Sequence, residues 1–316
     1  MSAPVPAAHP RPMADGSLVR TETASPGMCG PVSLFAGRVG DWTWDAVSAL
    51  CGVDAYRAVD ERGEPTYLSF YYYRIRGSRE LHPTGIAFGD RLQVVSRVLD
   101  CGSESVLTVH RIRVDTGAAP EPLDPDAFYG GPRPGDLLVE NFNRWITRTR
   151  QHSNRDLARA SPVGFRHDHL PAPPPAHSPR LACANARRGS FLAEPPPDRW
   201  PAVRGFTADY PVEAGRDLNG VGLLYFASYF AIVDWALLRL WRHLGRGVRD
   251  YLDRVVLDQR VCYLGNADGD AVVRVRVDLW RKRDDQTDEL VEVVLRDRRH
   301  GSLLAVCLLR VRAGAA

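Results

Sequence analysis

Hydrophobic residues fill positions 223–238, LLYFASYFAIVDWALL, with only Ser228 and Asp234 between them. The pattern predicts a helix over 222–244, entered through the Gly-rich turn Asn219-Gly220-Val221-Gly222. A helix that is apolar on every side must be buried. Its length is close to the ~20 residues a bilayer span needs. Asp234 argues against that reading, because a lone carboxylate in hydrocarbon is expensive. The expected place of this helix is therefore a protein core.

After the helix the pattern changes to alternation. Across Ala271 to Arg281, Val273, Val275, Val277 and Leu279 share one face, and Arg274, Arg276, Asp278 and Trp280 the other. That period of two marks a strand with one wet face. Val255–Leu264, Glu289–Asp297 and Ser302–Val311 read as its neighbours, and Phe206–Val212 as a strand before the helix. The first half repeats the order. Ser33–Val39 reads as a strand, and Trp42–Leu50 as a helix with Asp41 as N-cap and Gly52 as its stop. Pro65–Arg76, Arg91–Leu99, Ser105–Val114 and Leu137–Thr147 follow as strands. The expected class is α+β: two units, each a helix wrapped by an antiparallel sheet.

The boundaries follow from composition. Residues 1–25, rich in Pro, Ala and Ser, read as a loose tail. The first unit spans 26–150 and the second 203–316. Residues 151–202 hold so many prolines that they read as a connection without regular structure.

Charge and cysteine usage narrow the function classes. The net charge of +3 is weak for a nucleic-acid binder. Arginine supplies nearly all the cations, Lys282 being the single lysine. Cys29, Cys51, Cys101, Cys183, Cys262 and Cys307 form no CxxC pair, and no His stands at ligand spacing from them. Buried, reduced thiols in a cytoplasmic protein are expected, with no metal. The opening MSAPVPAAHPRPMADG lacks the apolar core of a signal peptide.

Candidate chemistry is sparse. An open helix N-terminus offers N–H groups and positive potential to a carbonyl oxygen or a carboxylate. Two such ends are expected, near Trp42–Trp44 and near Gly220–Leu223. Asn219, Gly220 and Gly222 therefore become candidate substrate contacts. Asn141 and Asn143 alternate with Phe142, share one strand face and could donate to a substrate oxygen without protonating it; turn or sheet-edge amides are the other reading. Asp217 reads as a turn or N-cap residue. His82 reads as a loop residue and His110 as a satisfied strand histidine.

Longer segments carry a resemblance. PGMCGP (Pro26–Pro31), GRVGDWTWDAVSALCG (Gly37–Gly52), PTYLSFYYYRIRG (Pro65–Gly77), ENFNRW (Glu140–Trp145) and NGVGLLYFASY (Asn219–Tyr229) resemble the LnmK-type family. Those are bifunctional acyltransferase/decarboxylases of polyketide biosynthesis. The resemblance implies a double hot-dog, in which two hot-dog units imitate a hot-dog dimer. It implies decarboxylation of methylmalonyl-CoA and passage of the propionyl group to the phosphopantetheine thiol of an acyl carrier protein. It also implies an acyl ester on a tyrosine, with the CoA thioester as substrate and no further cofactor. Tyr67, Tyr71, Tyr72 and Tyr73 share one strand, and Tyr67, at its start, is nearest the expected helix end. Tyr67 can equally be an ordinary strand aromatic. A phenol of pKa ~10 is a poor nucleophile at neutral pH, but loss of CO₂ leaves an enolate basic enough to take its proton.

Two other readings stay open. An acyl-CoA thioesterase would need a carboxylate by the first helical turn, with Asp45 or Asp217 serving. A dehydratase-like protein would need a His and an Asp from opposite halves, and His82 and Asp234 are the pair available. No nucleic-acid or membrane partner is expected, a homodimer is compatible with the chain, and malonyl against methylmalonyl preference is not legible.

Overall fold

Phe35, Ala36, Val39, Trp42, Ala46 and Val47 are all buried at helical spacing, and they define one continuous helix. The computed structural model describes residues 9–150 and 153–313. Strands β1 (Arg11–Pro12) and β2 (Leu18–Thr23) precede helix α1 (Val32–Cys51). Strands β3 (Tyr67–Arg76), β4 (Arg91–Asp100) and β5 (Ser105–Val114) follow. Helix α2 (Pro125–Tyr129) leads into β6 (Leu137–Arg148). The connection carries β7 (Leu157–Arg159) and α3 (Pro179–Ala186). The second half runs β8 (Arg199–Pro211), α4 (Ala214–Asp217), α5 (Phe226–His243) and α6 (Val248–Leu252). It ends with β9 (Val255–Tyr263), β10 (Val272–Lys282), β11 (Asp288–Asp297) and β12 (Leu303–Arg312).

All the strands join one antiparallel sheet in the order β1-β2-β4-β5-β6-β3-β9-β12-β11-β10-β8, with β7 beside β6. The order reads the same from either end once β1 is set aside. Each half places its pre-helix strand outermost and the strand after its helix innermost. The innermost strands, β3 and β9, pair across the middle. Both long helices share the main core with the same sheet face, and they touch each other. On the opposite face Cys183, Ala186 and Phe191 of the connection pack over Tyr72, Cys262, Val306 and Leu308.

Five expectations need correction. Ser33–Val39 is not a strand but the first turns of α1. Gly37 and Gly40 look like breaks in the sequence, yet they serve helix packing. The first strand of this half is instead β2, inside the segment read as a loose tail. Asp41 therefore lies in mid-helix and caps nothing. In the second half α5 starts at Phe226, after a loop in which Gly222 has φ of 73°. Lastly, the Pro-rich connection does hold regular structure. Pro179 occupies the first turn of α3, where its missing N–H costs nothing. Pro201 and Pro211 lie on β8, an edge strand that pairs only with β10.

Gly40 decides how closely the helices approach. A methyl group there would overlap the ring of Phe226, which stacks on Phe70 at 3.9 Å between centroids. Gly37 faces Tyr225 in the same way, its hydroxyl 3.1 Å from where a Cβ would stand. Alanine in a helix interior ordinarily gains up to ~1 kcal/mol over glycine. Overpacking a tight core costs about 1–3 kcal/mol. Gly40→Ala is expected to be destabilising by about 1–2 kcal/mol, read as a lower urea midpoint at unchanged slope.

Candidate active site

β3 and β9 pair only between Tyr72–Arg76 and Cys262–Asp258. Before Tyr72, β3 is paired to β6 alone, and after Tyr263 the second half turns away. The two halves thus diverge at one end of the seam, and a cleft of about 440 Å³ lies there. Its walls are the start of β3, the middle of α1 at Gly40, Asp41 and Trp44, the loop before α5, and residues 263–266.

That loop is fixed from three sides. Asn219 accepts from the Val221 and Leu223 N–H groups through its own Oδ1. Asn266 pairs with both backbone groups of Leu224, at 2.9 and 3.1 Å. Asn154, nearly fully buried, donates to the Gly222 and Ala267 carbonyls, and Arg148 bridges Asn154 to the Val221 carbonyl. Three chain segments around the cleft are tied together by this one amide.

The loop delivers the N-terminus of α5 to the cleft. A helix leaves its first N–H groups without intrahelical acceptors. Here the N-cap, Tyr225, makes no side-chain cap, and the Ser228 N–H returns to the Tyr225 carbonyl. The Phe226 and Ala227 N–H groups have no acceptor among the described residues. Together with the helix dipole they form a site for negative charge.

Two ionisable groups face the same space. Asp41 is exposed toward the cleft; burial by surrounding protein raises its carboxyl, against Arg38 at 3.4 Å. The Tyr225 phenol is pushed up to about 12, by burial first and by the Asp41 charge second. Tyr229, Tyr263 and Tyr73 instead donate their hydroxyls to the Gly265, Phe226 and Ala36 carbonyls.

The family description for the LnmK N-terminal Hot Dog Fold domain matches residues 19–195. The chain belongs to the LnmK hot-dog family. The match starts at β2 and ends in the connection, so it covers the first helix-and-sheet unit. No curated protein matches the chain. Among solved structures, the 12:0-ACP thioesterase from Umbellularia californica is similar at a TM-score of 0.56 and 9% identity, covering 94% of each chain. An acyl-ACP thioesterase from Bacteroides thetaiotaomicron VPI-5482 gives 0.52 and 10% identity, covering 94% of this chain and 98% of that one. A Lactobacillus plantarum protein described as an oleoyl thioesterase gives 0.57 and 11%, covering 95% and 97%. At such identities the likeness shows the fold: this LnmK-family chain is built on the hot-dog plan.

The structure separates the residues singled out from sequence. Tyr67, Asn219 and Gly220 line the cleft, and so does Tyr71, whose ring lies under Arg144. Tyr72 and Tyr73 are buried, and burial raises both phenols. Gly222 shapes the loop with its positive φ and is not in the cleft wall. Asn141 and Asn143 are a correction: both are fully buried between α1 and the sheet, away from the cleft. Their shared strand face is the inner one, which alternation alone could not distinguish from a wet face. The helix end expected at Trp42–Trp44 does not exist either, because α1 begins ten residues earlier.

Asp217 is structural. Burial works to raise its carboxyl, but Arg216, the Glu213 N–H and the Tyr210 phenol hold it below the usual range. Asp45 is held by Arg20 and Tyr56. Asp234 is paired with Arg254 at 2.9 Å, and His82 with Thr84. Sequence reading missed Asp41, Asn154, Tyr225 and Asn266. Asp41 carried a signal, three residues after Arg38, that the misplaced helix start concealed. The others come from distant segments and left none.

Between α1 and the sheet, Asn141 joins a buried network in which its Oδ1 has no partner among the described residues. Its Nδ2 donates to Thr43 Oγ1 at 2.6 Å, and that hydroxyl donates to the Val39 carbonyl. With its proton so placed, Thr43 Oγ1 accepts from His110 Nε2 at 3.0 Å, and His110 Nδ1 accepts from Ser96 at 2.8 Å. His110 is thus held neutral, and burial pushes its pKa down to about 3. A histidine ordinarily titrates near 6.5. Between these values the unfolded chain binds the extra proton, so stability rises with pH. It is complete above pH ~6.5 and is lost as pH falls toward 3, by up to ~1.4 kcal/mol per pH unit. His110→Gln should remove this slope between pH 6.5 and 5, measured by urea unfolding at each pH.

Proposed function

We propose that the protein decarboxylates methylmalonyl-CoA and transfers the propionyl group, through an acyl ester on Tyr67, to the phosphopantetheine thiol of an acyl carrier protein. One observation carries the reading: in a member of the LnmK family, the cleft unites a β3 tyrosine with the open N-terminus of α5. The two halves are proposed to act as a double hot-dog, one chain standing in for a hot-dog dimer. In support, the sheet order is mirrored about the β3–β9 seam.

The steps balance. The thioester oxygen lies against the Phe226 and Ala227 N–H groups, which stabilise the enolate left as CO₂ departs. The enolate carbon takes the phenolic proton of Tyr67. The phenolate attacks the propionyl carbonyl, and CoA leaves as its thiolate. The carrier thiol then attacks the aryl ester, and its proton ends on the departing phenolate, which restores the Tyr67 phenol. This route assigns charge stabilisation to N–H groups and calls on no metal. Among the described residues no helix is long and apolar enough to cross a membrane; a cytoplasmic setting fits an acyl-CoA substrate. Acidic carrier proteins would be steered by the arginine-rich surface, so transfer should slow as ionic strength rises.

A second reading has one observation in its favour. Asp41 places a carboxylate in the cleft, where a hydrolase would use it to activate water. The product decides: free propionate marks a thioesterase, and propionylated carrier protein a transferase. Tyr67→Phe keeps the aromatic volume and should lower propionyl transfer by at least about 10³-fold, the scale of losing a covalent nucleophile. Methylmalonyl-CoA decarboxylation should persist in part. Mass spectrometry of quenched wild-type enzyme should find the propionyl group on the peptide containing Tyr67. A label on Tyr71 or Tyr225 would reassign the nucleophile. Full transfer by Tyr67→Phe would exclude Tyr67 from the route.

A further inference from the structure

The inner end of the cleft is a wall of aromatic rings. Phe70, Tyr225, Phe226, Tyr229 and Tyr263 all contribute to it. Phe226 and Tyr225 are its half-buried rings, whereas Phe70, Tyr229 and Tyr263 are buried. Four contacts hold Phe226 in place. Its ring stacks on Phe70 at 3.9 Å and on Tyr73 at 6.1 Å, and meets Tyr225 edge-on at 4.7 Å. The tip of its ring lies against Gly40 of α1, where no side chain competes for the space.

The supporting rings are themselves pinned. Tyr73, Tyr229 and Tyr263 each donate a hydroxyl to a backbone carbonyl, at 3.1, 2.7 and 3.2 Å. A ring fixed by both stacking and a hydrogen bond does not swing aside without losing the bond in a dry interior. The wall is therefore stiff, unlike a methionine-lined pocket that can reshape itself. Phe226 is also the first residue of α5, so its backbone N–H and its ring present themselves at one place.

We infer that Phe226, held by Gly40 and Phe70, limits the length of the acyl group the cleft accepts. This rests on the reading that a thioester oxygen sits at the first turn of α5. With the carbonyl held there, the acyl carbons beyond it lie beside the ring of the same residue. A propionyl-sized group ends before the ring. A hexanoyl group meets it and has no side channel, because the rings behind it are fixed.

The experiment measures binding without turnover. Acyl-CoA analogues in which a methylene replaces the thioester sulfur are titrated calorimetrically into the full chain, from propionyl through butyryl and hexanoyl to octanoyl. In wild type the hexanoyl analogue should bind at least tenfold more weakly than the propionyl one. Misfit of a single methylene in an apolar pocket is worth about 10–200-fold. Phe226→Ala should reverse that order, because an opened pocket rewards added apolar surface. Phe226→Leu should fall between, and it reads the same ratio if the alanine variant does not fold by circular dichroism. Wild type that binds hexanoyl or octanoyl analogues as tightly as propionyl overturns the inference. So does an unchanged ratio in both Phe226 variants. Failure of every analogue to bind folded wild type removes the thioester reading, and the length limit falls with it.

Discussion

The contact between Gly40 and Phe226 is the constraint on which the rest of the structure depends. Two long helices share one face of one sheet, and each must bury its apolar side against the same strands. Helix axes come as close as their interface side chains permit. At Gly40 that side chain is absent, so α5 brings an aromatic ring onto the backbone of α1. The same ring lines the cleft, and the residue that carries it opens α5. Packing between the halves and placement of the helix N-terminus are therefore one problem with one solution.

The seam divides into three parts with different physics. In the middle, β3 and β9 pair, and the outer face is locked by Arg74 and Asp258 in a bidentate pair at 3.0 and 2.6 Å. Burial works to raise Asp258, yet Arg74 holds it below the usual range. At one end the strands separate and the cleft forms. At the other the mirrored position is filled. The Gly77 N–H bonds to the Leu257 carbonyl, Thr84 bonds to the Arg254 carbonyl, and Arg254 is paired with Asp234 over the Tyr251 ring. The fold has near-symmetric topology, but side chains make one end of its seam open and the other solid. Asp234, the charge that argued against a membrane helix, is part of what fills the closed end.

The connection between the units is structural rather than a spacer. Its first residues anchor the glycine loop through Asn154, and α3 covers the seam on the outer face with Cys183 and Ala186. Its anchoring contacts, such as Asn154 to Gly222 and Ala267 and Ser190 to Glu292, are to segments remote in sequence, which is why its proline content suggested nothing but irregularity.

The sequence by itself determined the class of fold and most of its strands. Alternation in 271–281 and the apolar run in 223–238 reflect local periodicities, and a period is visible wherever one face is buried. The strands after each helix, and the identity of α5 as a core helix, came from that source. The start of α1 did not, because Gly37 and Gly40 look like breaks until a second helix occupies the space they leave. The inward face of Asn141 and Asn143 did not either, since alternation tells two faces apart without saying which is wet. The cleft was least legible of all. Tyr67, Asn219 and Gly220 could be named from their elements, but Asp41, Asn154, Tyr225 and Asn266 meet only where β3 and β9 part. That meeting is set by long-range packing, and no local pattern of residues encodes it.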